Sequence, residues 1–184
     1  KGCRCPELMF NYFTDTIVLI FLGYSVVYPF YLWITPLRQI DGSFYRFNLG
    51  LCCVIGALGA IGYHALNPDL ISQVYVWIWL ALLLSITAYY WHSKRINNLI
   101  ISSISIFGSV IMSNVLFNIV PALNQEGVFF VTLLGAMITA GVFFAMILGH
   151  WYLNVVNLPI RMLKKAVIIL STLLIVRIFW NVIY

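Results

Sequence analysis

Three histidines are the residues of this sequence whose type and placement could do chemistry. His92 follows the run LISQVYVWIWLALLLSITAYYW, and His150 follows VFFVTLLGAMITAGVFFAMILG. His64 closes an apolar stretch that begins at Phe47. His92 lies as far beyond Leu70 as His150 lies beyond Val128. If both runs cross a membrane in the same direction, the two imidazoles share one depth. Two imidazoles at matched depth on separate helices form the ligand pair of a b-type haem, a cofactor of electron transfer. Each neutral ring would give one nitrogen to iron and donate the other to a carbonyl or side chain.

A flat macrocycle also needs room. Upstream of His92, at helical spacing, come Ala88, Ser85 and Ala81. Upstream of His64 come Ala60, Gly56 and Cys52, and beside His150 runs the stripe Gly149, Ala145 and Gly141. Ser85 offers polarity without bulk, and Gly149 lets a backbone come close. The basic residues Lys94, Arg95 and Arg161 fall at the same face, where haem propionates could meet them. The competing reading is structural. Small-xxx-small faces occur wherever membrane helices pack closely. Histidines beside Trp91, Trp151 and Tyr152 are also what an aromatic belt at the headgroup level looks like.

Other residues stand out by cost or spacing. Arg177 lies well inside an apolar run, where arginine costs about 2.5 to 3.5 kcal/mol at the bilayer centre. It can snorkel outward, it can pair with an acid, of which Asp15 matches best in depth and Glu126 second, or it can meet an acid, lipid or cofactor propionate from outside this chain. Ser102, Ser105, Ser109, Ser113, Asn114 and Asn118 form a polar stripe that reads as helix packing or as a wet path. Tyr24, Tyr28 and Tyr31 share nearly one face beside Pro29, which is expected to kink its helix. That face could pack on helices or stack on a pigment, a quinone or a lipid. Cys3 and Cys5 could share a disulfide with a partner or bind a metal with outside help, whereas Cys52 and Cys53 read as small packing residues. No CxxCH haem attachment and no paired CxxC zinc spacing is present.

The elements that must position these residues follow from composition. The chain is 184 residues long, 63% hydrophobic and only 8% charged, with a mean hydropathy of +1.01. Soluble domains carry about 25% charged residues, so this chain cannot cover a water-facing surface. Nucleic acid is not an expected partner, because the basic residues sit singly or in small groups between apolar runs. The opening KGCRCPELM lacks the apolar h-region of a signal peptide. About 20 apolar residues span a membrane as a helix. Six stretches qualify, at about 14–35, 47–66, 70–91, 99–120, 128–151 and 166–184. The expected fold is all-α: a polytopic integral membrane helical bundle of about six transmembrane helices in a single domain, 1–184. Strict alternation is absent, which excludes a barrel.

Orientation follows from lysine and arginine bias. The first, third and fifth connections hold Arg38, Arg46, Lys94, Arg95, Arg161, Lys164 and Lys165, and the second and fourth hold only Asp69 and Glu126. The positive-inside rule puts the basic connections in the cytoplasm and both termini outside. Lys1 and Arg4 alone dissent. The membrane is a bacterial inner membrane or an organellar inner membrane. No HExxH, GxSxG or paired-aspartate motif appears, so a self-contained enzyme ranks last among the functions. The favoured expectation is a subunit of a larger membrane complex, as a scaffold or in electron transfer with haem or quinone. The alternative is a small solute transporter or channel.

The topology is directly testable. Cysteines placed at Asn97 and Asn124 should be labelled by an impermeant reagent from opposite sides of the membrane. Labelling of both from one side would overturn the assignment.

Overall fold

The computed structural model describes residues 5–35, 40, 42–66, 69–93, 97–120, 125–155 and 159–183. Helix α1 spans Cys5–Tyr31 and runs into a 3-10 turn at Leu32–Ile34. It is followed by α2 (Gly42–Leu66), α3 (Leu70–His92), α4 (Asn98–Ile119), α5 (Gln125–Asn154) and α6 (Arg161–Ile183). All six contain stretches long and apolar enough to cross a membrane, and no strand occurs among the described residues. The chain is an all-α integral membrane bundle. In lipid each backbone polar group must be satisfied within its own segment, and a helix does this.

The apolar runs mark the helices, but the helices outlast the runs. Helix α2 begins at Gly42 rather than at Phe47, because Phe44 and Tyr45 are fully buried beneath the end of α1. The Tyr45 hydroxyl donates there to the Thr35 carbonyl. Helix α6 begins at Arg161 rather than at Ala166, with Met162 and Ala166 buried. Capping fixes other ends. The Asp69 carboxylate accepts from the amides of Ile71 and Ser72, and the Asn97 side chain accepts from Leu99. These side chains satisfy amides that have no partner inside their helix. Cys3, Arg38, Lys94 and Arg95 lie outside the described residues, as does the side chain of Cys5.

Helix α1 is the central post. It packs against α2, α4 and α5, while α3 packs on α2 and α4, and α6 packs on α5. Buried residues make up 61% of the apolar window of α1 but only 6% of that of α6, so the two helices have opposite roles. Lipid is as apolar as leucine, so membrane helices gain by close packing and hydrogen bonds rather than by hydrophobicity. Helix α2 meets this demand with a glycine ridge. A Cβ on Gly56 would lie 2.6 Å from Ser25 Oγ, one on Gly59 2.9 Å from the Leu22 side chain, and one on Gly62 2.7 Å from Val18. The approach is close enough for the Ser25 hydroxyl to donate to the Cys52 carbonyl at 2.7 Å.

A second face of α1 packs through aromatic rings. Tyr24 meets Phe143 edge-on at 5.5 Å, Tyr28 meets Phe144 at 6.0 Å, and Tyr31 lies 5.6 Å from Phe144. Two of these phenols also tie helices together. Tyr28 donates to Asn48 Oδ1 on α2, and Tyr31 donates to the Met137 carbonyl on α5 at 2.6 Å. The three tyrosines expected on one face are therefore core residues. Pro29 lies inside α1, two residues before the helix gives way to the 3-10 turn.

The glycine ridge predicts a sharp asymmetry. Gly59→Val would push a branched side chain toward the Leu22 amide nitrogen, which lies 3.0 Å from a Cβ there. It should cost about 1 to 3 kcal/mol, the usual range for overpacking. Gly135→Ala, whose Cβ meets nothing within 4 Å, should melt like the parent. Thermal unfolding of the purified proteins in one detergent compares the two, and equal melting of Gly59→Val would contradict the close approach.

Candidate functional site

The histidines are placed first, because the sequence singles them out. His92 ends α3 and His150 lies in the last turns of α5, and both are exposed. Helix α3 packs on α2 and α4, whereas α5 packs chiefly on α1 and α6. The structure therefore does not bring His92 and His150 onto one packed helix pair. Among the described residues no three His, Cys, Asp or Glu side chains converge as a metal site.

The small-residue stripes separate in the same way. Cys52, Gly56 and Ala60 are buried against α1 and leave no room for a macrocycle. Gly141 receives the Tyr31 hydroxyl, whereas Gly149 has no atom within 4 Å of a Cβ built on it. Ala81, Ser85 and Ala88 are exposed, and Ser85 donates to the Ala81 carbonyl of its own helix at 2.7 Å.

His64 belongs to a polar cluster where α2, α3 and α4 meet. Its Nδ1 lies 2.6 Å from Gln73 Oε1, the geometry of a ring N–H donating to an amide oxygen, and Trp77 stands edge-on at 6.5 Å. Nearby, the Ser72 hydroxyl lies 2.6 Å from Asp69 and 3.0 Å from Asn114 Oδ1. Asn118 donates to Ser72 Oγ at 2.7 Å and to the Tyr63 hydroxyl at 3.3 Å. The asparagines of the α4 stripe thus cross-link helices. Its serines behave less uniformly. Ser102 accepts from Trp33 Nε1, Ser109 donates to its own helix at 2.9 Å, and the buried Ser105 hydroxyl has no partner among the described residues. Ser109, Ser113 and Asn114 also line a cleft of about 570 Å³ beside Phe117 and Phe129. Gln73 escaped the sequence reading because an amide at the start of an apolar run carries no signal of its own.

Arg177 is held differently from the expected acid pair. Its Nη1 donates to the Val131 carbonyl on α5 at 2.8 Å, and no ion pair with Asp15 forms among the described residues. Val131 is close to the start of α5 and Arg177 to the end of α6, so the guanidinium sits toward the side of the bundle where α1 begins. It borders a cavity of about 370 Å³ in which Thr16, Thr132 and Thr139 mix with Leu19, Ile20, Gly135 and Ala136. A second cavity of about 380 Å³ lies farther along the same three helices, between Phe30, Trp33, Met137, Lys165 and Ile169. Helix α6 leans on α5 and meets the α1 region mainly at the 3-10 turn, which leaves a seam with a cation toward each end. The sequence reading missed this face, which the spacing of Thr132 and Thr139, two helical turns apart on α5, could have marked.

One charge of the α2–α3–α4 cluster lies outside the membrane spans. Hydrogen bonds from the Ser72 hydroxyl, and then from the Ser72 and Ile71 amides, hold the Asp69 carboxyl below its ordinary value of 3.8. A depressed carboxyl stabilises the folded state above its unfolded pKa, and that contribution is lost as pH falls through the folded pKa. The melting temperature should therefore lose a contribution only below about pH 4, and Ser72→Ala should move that loss to higher pH. An unchanged acid limb in Ser72→Ala would show that the serine does not tune Asp69. Compared with protein-family models, with curated proteins and with solved structures, the chain matches none.

Proposed function

We propose that this chain is a non-catalytic scaffold subunit of a larger membrane assembly, and that it joins a partner through the uncovered face of α3. The supporting observation is the exposure of Ala81, Ser85 and Ala88, with Trp77 and His92 at the two ends of the same helical face. Small residues at this spacing let two helix backbones approach within a membrane. Inside the chain the comparable stripe Cys52, Gly56 and Ala60 is used in this way against α1. The α3 stripe has the same chemistry and no helix of this chain on it. A partner helix would cover it, with Trp77 and His92 setting its depth.

The orientation that goes with this role has the basic connections in the cytoplasm, or its organellar equivalent, and both termini outside. Cys3 and Cys5 would then be available to an external partner. The electron-transfer form of the role, with a b-type haem or a quinone, draws no support from the helix arrangement. A pigment or quinone stacked on Tyr24, Tyr28 and Tyr31 draws none either, because those rings are buried among α2 and α5.

The test is a native gel of membranes extracted in mild detergent. The parent chain should migrate in an assembly much heavier than its own 21.0 kDa. Ser85→Leu places a branched side chain on an exposed face, so it should leave thermal stability within about 0.5 kcal/mol of the parent and release the chain from that assembly. A monodisperse monomer of the parent, or full retention of Ser85→Leu in the assembly, would refute the proposal.

A further inference from the structure

We propose that the seam between α1 and α6, floored by α5, binds an anionic lipid whose phosphate pairs with Arg177. Three features of the seam point to this ligand.

The first is a cation with donors to spare. Arg177 spends one N–H on the Val131 carbonyl at 2.8 Å and makes no ion pair among the described residues. Guanidinium presents five donors in a planar fork that matches phosphate oxygens. Asp15, one residue before Thr16 on α1, is half-buried and does not neutralise it within ion-pair distance.

The second is a built cavity with graded polarity. The space beside Arg177 holds about 370 Å³, within the range of roughly 300 to 1,000 Å³ found for ligand sites. The hydroxyls of Thr132 and Thr139 donate to their own helix, at 2.8 Å to Val128 and 3.0 Å to Gly135. Their oxygens keep acceptor capacity for the glycerol or headgroup hydroxyls of a lipid. The floor at Gly135 is open, with nothing within 4 Å of a Cβ there.

The third is an apolar continuation. The same three helices and the 3-10 turn line a further open cleft of about 380 Å³ toward Phe30, Trp33 and Met137, with Lys165 at its edge. A free anion has no use for that length, whereas an acyl chain lying along the seam does. Access is lateral from the bilayer, because α6 leans on α5 and does not close against most of α1.

Native mass spectrometry of the delipidated full chain tests this with phosphatidylglycerol and phosphatidylcholine of identical acyl chains. The parent should bind the first phosphatidylglycerol about tenfold more tightly than phosphatidylcholine, because the choline ammonium offsets the phosphate charge that Arg177 would otherwise meet. Arg177→Gln should bring that ratio near one, and Lys164→Gln, at an exposed lysine outside both cavities, should leave it unchanged. Gly135→Leu, which enters open space, should weaken both lipids and carries the test if Arg177→Gln fails to fold. Inorganic phosphate alone should not displace the lipid. An undiminished preference in Arg177→Gln overturns the proposal. So does loss of preference in Lys164→Gln, tight binding of both lipids in Gly135→Leu, or displacement by inorganic phosphate.

Discussion

The close approach of α1 and α2 is the constraint on which the rest of the bundle depends. Three glycines of α2, Gly56, Gly59 and Gly62, face Ser25, Leu22 and Val18 with no room for a Cβ. Only at that distance can Ser25 reach the Cys52 carbonyl. The neighbouring face of α1 carries its tyrosines, which Phe143 and Phe144 of α5 receive while Tyr28 also reaches Asn48 of α2. Helix α4 completes the enclosure through Gly108, whose bare backbone takes the Trp79 ring of α3 and a methyl of Val26. Glycine thus recurs where another element must lie flat against a helix backbone, and the large rings fill what the glycines open. Each interhelical hydrogen bond in such a bundle is worth only about 0.6 kcal/mol, so the packing surface between the bonds carries most of the fold.

The sequence revealed the helices more readily than their neighbours. An apolar run of membrane-spanning length has one physical solution, so six helices were legible at once. Their ends were less so, because helical bonding continues past the last apolar residue wherever a side chain can be buried or a cap supplied. Phe44 and Tyr45 extend α2 in this way, and Met162 extends α6. The candidate site shows a deeper limit. Counting residues along a run gives depth, and spacing of three and four gives a face, but neither gives which helices lie side by side. His92 and His150 match in their count along the apolar runs, yet they stand on helices that pack chiefly on different neighbours. Arg177 was legible by its type alone, as a charge in an apolar run. Its partner was not, because the Val131 carbonyl is a backbone group present at every residue.

The polar groups of the bundle divide by what they can reach. Those near a connection find side chains on other helices, as Asn118 finds Ser72 and Tyr63. Most described hydroxyls farther into the apolar spans bond back to the carbonyl four residues earlier, as Ser85, Thr87, Thr132, Thr139 and Thr172 do. Back-bonding lets a hydroxyl sit in lipid without an exposed donor, and it explains why serines and threonines scattered along a membrane helix need not form a path. It also sets apart the few polar atoms that cannot be settled within their own helix.

Arg177 is the most demanding of these. A serine can fold its proton back onto its own helix, but a guanidinium has too many donors for one carbonyl and carries a full charge. Its cost in an apolar span can be lowered in only three ways: reaching toward the interface, bonding to backbone, or meeting an anion. The first two are visible in the contact with Val131, near the start of α5. Both depend on α6 leaning on α5 rather than on α1, since a tightly closed α1–α6 contact would fill the space beside Thr16 and Thr132 that the guanidinium borders. The looseness of α6, with only Met162 and Ala166 fully buried, is therefore what makes a charge at this depth tolerable. The same looseness keeps the remaining donors of Arg177 facing a lipid-accessible cavity.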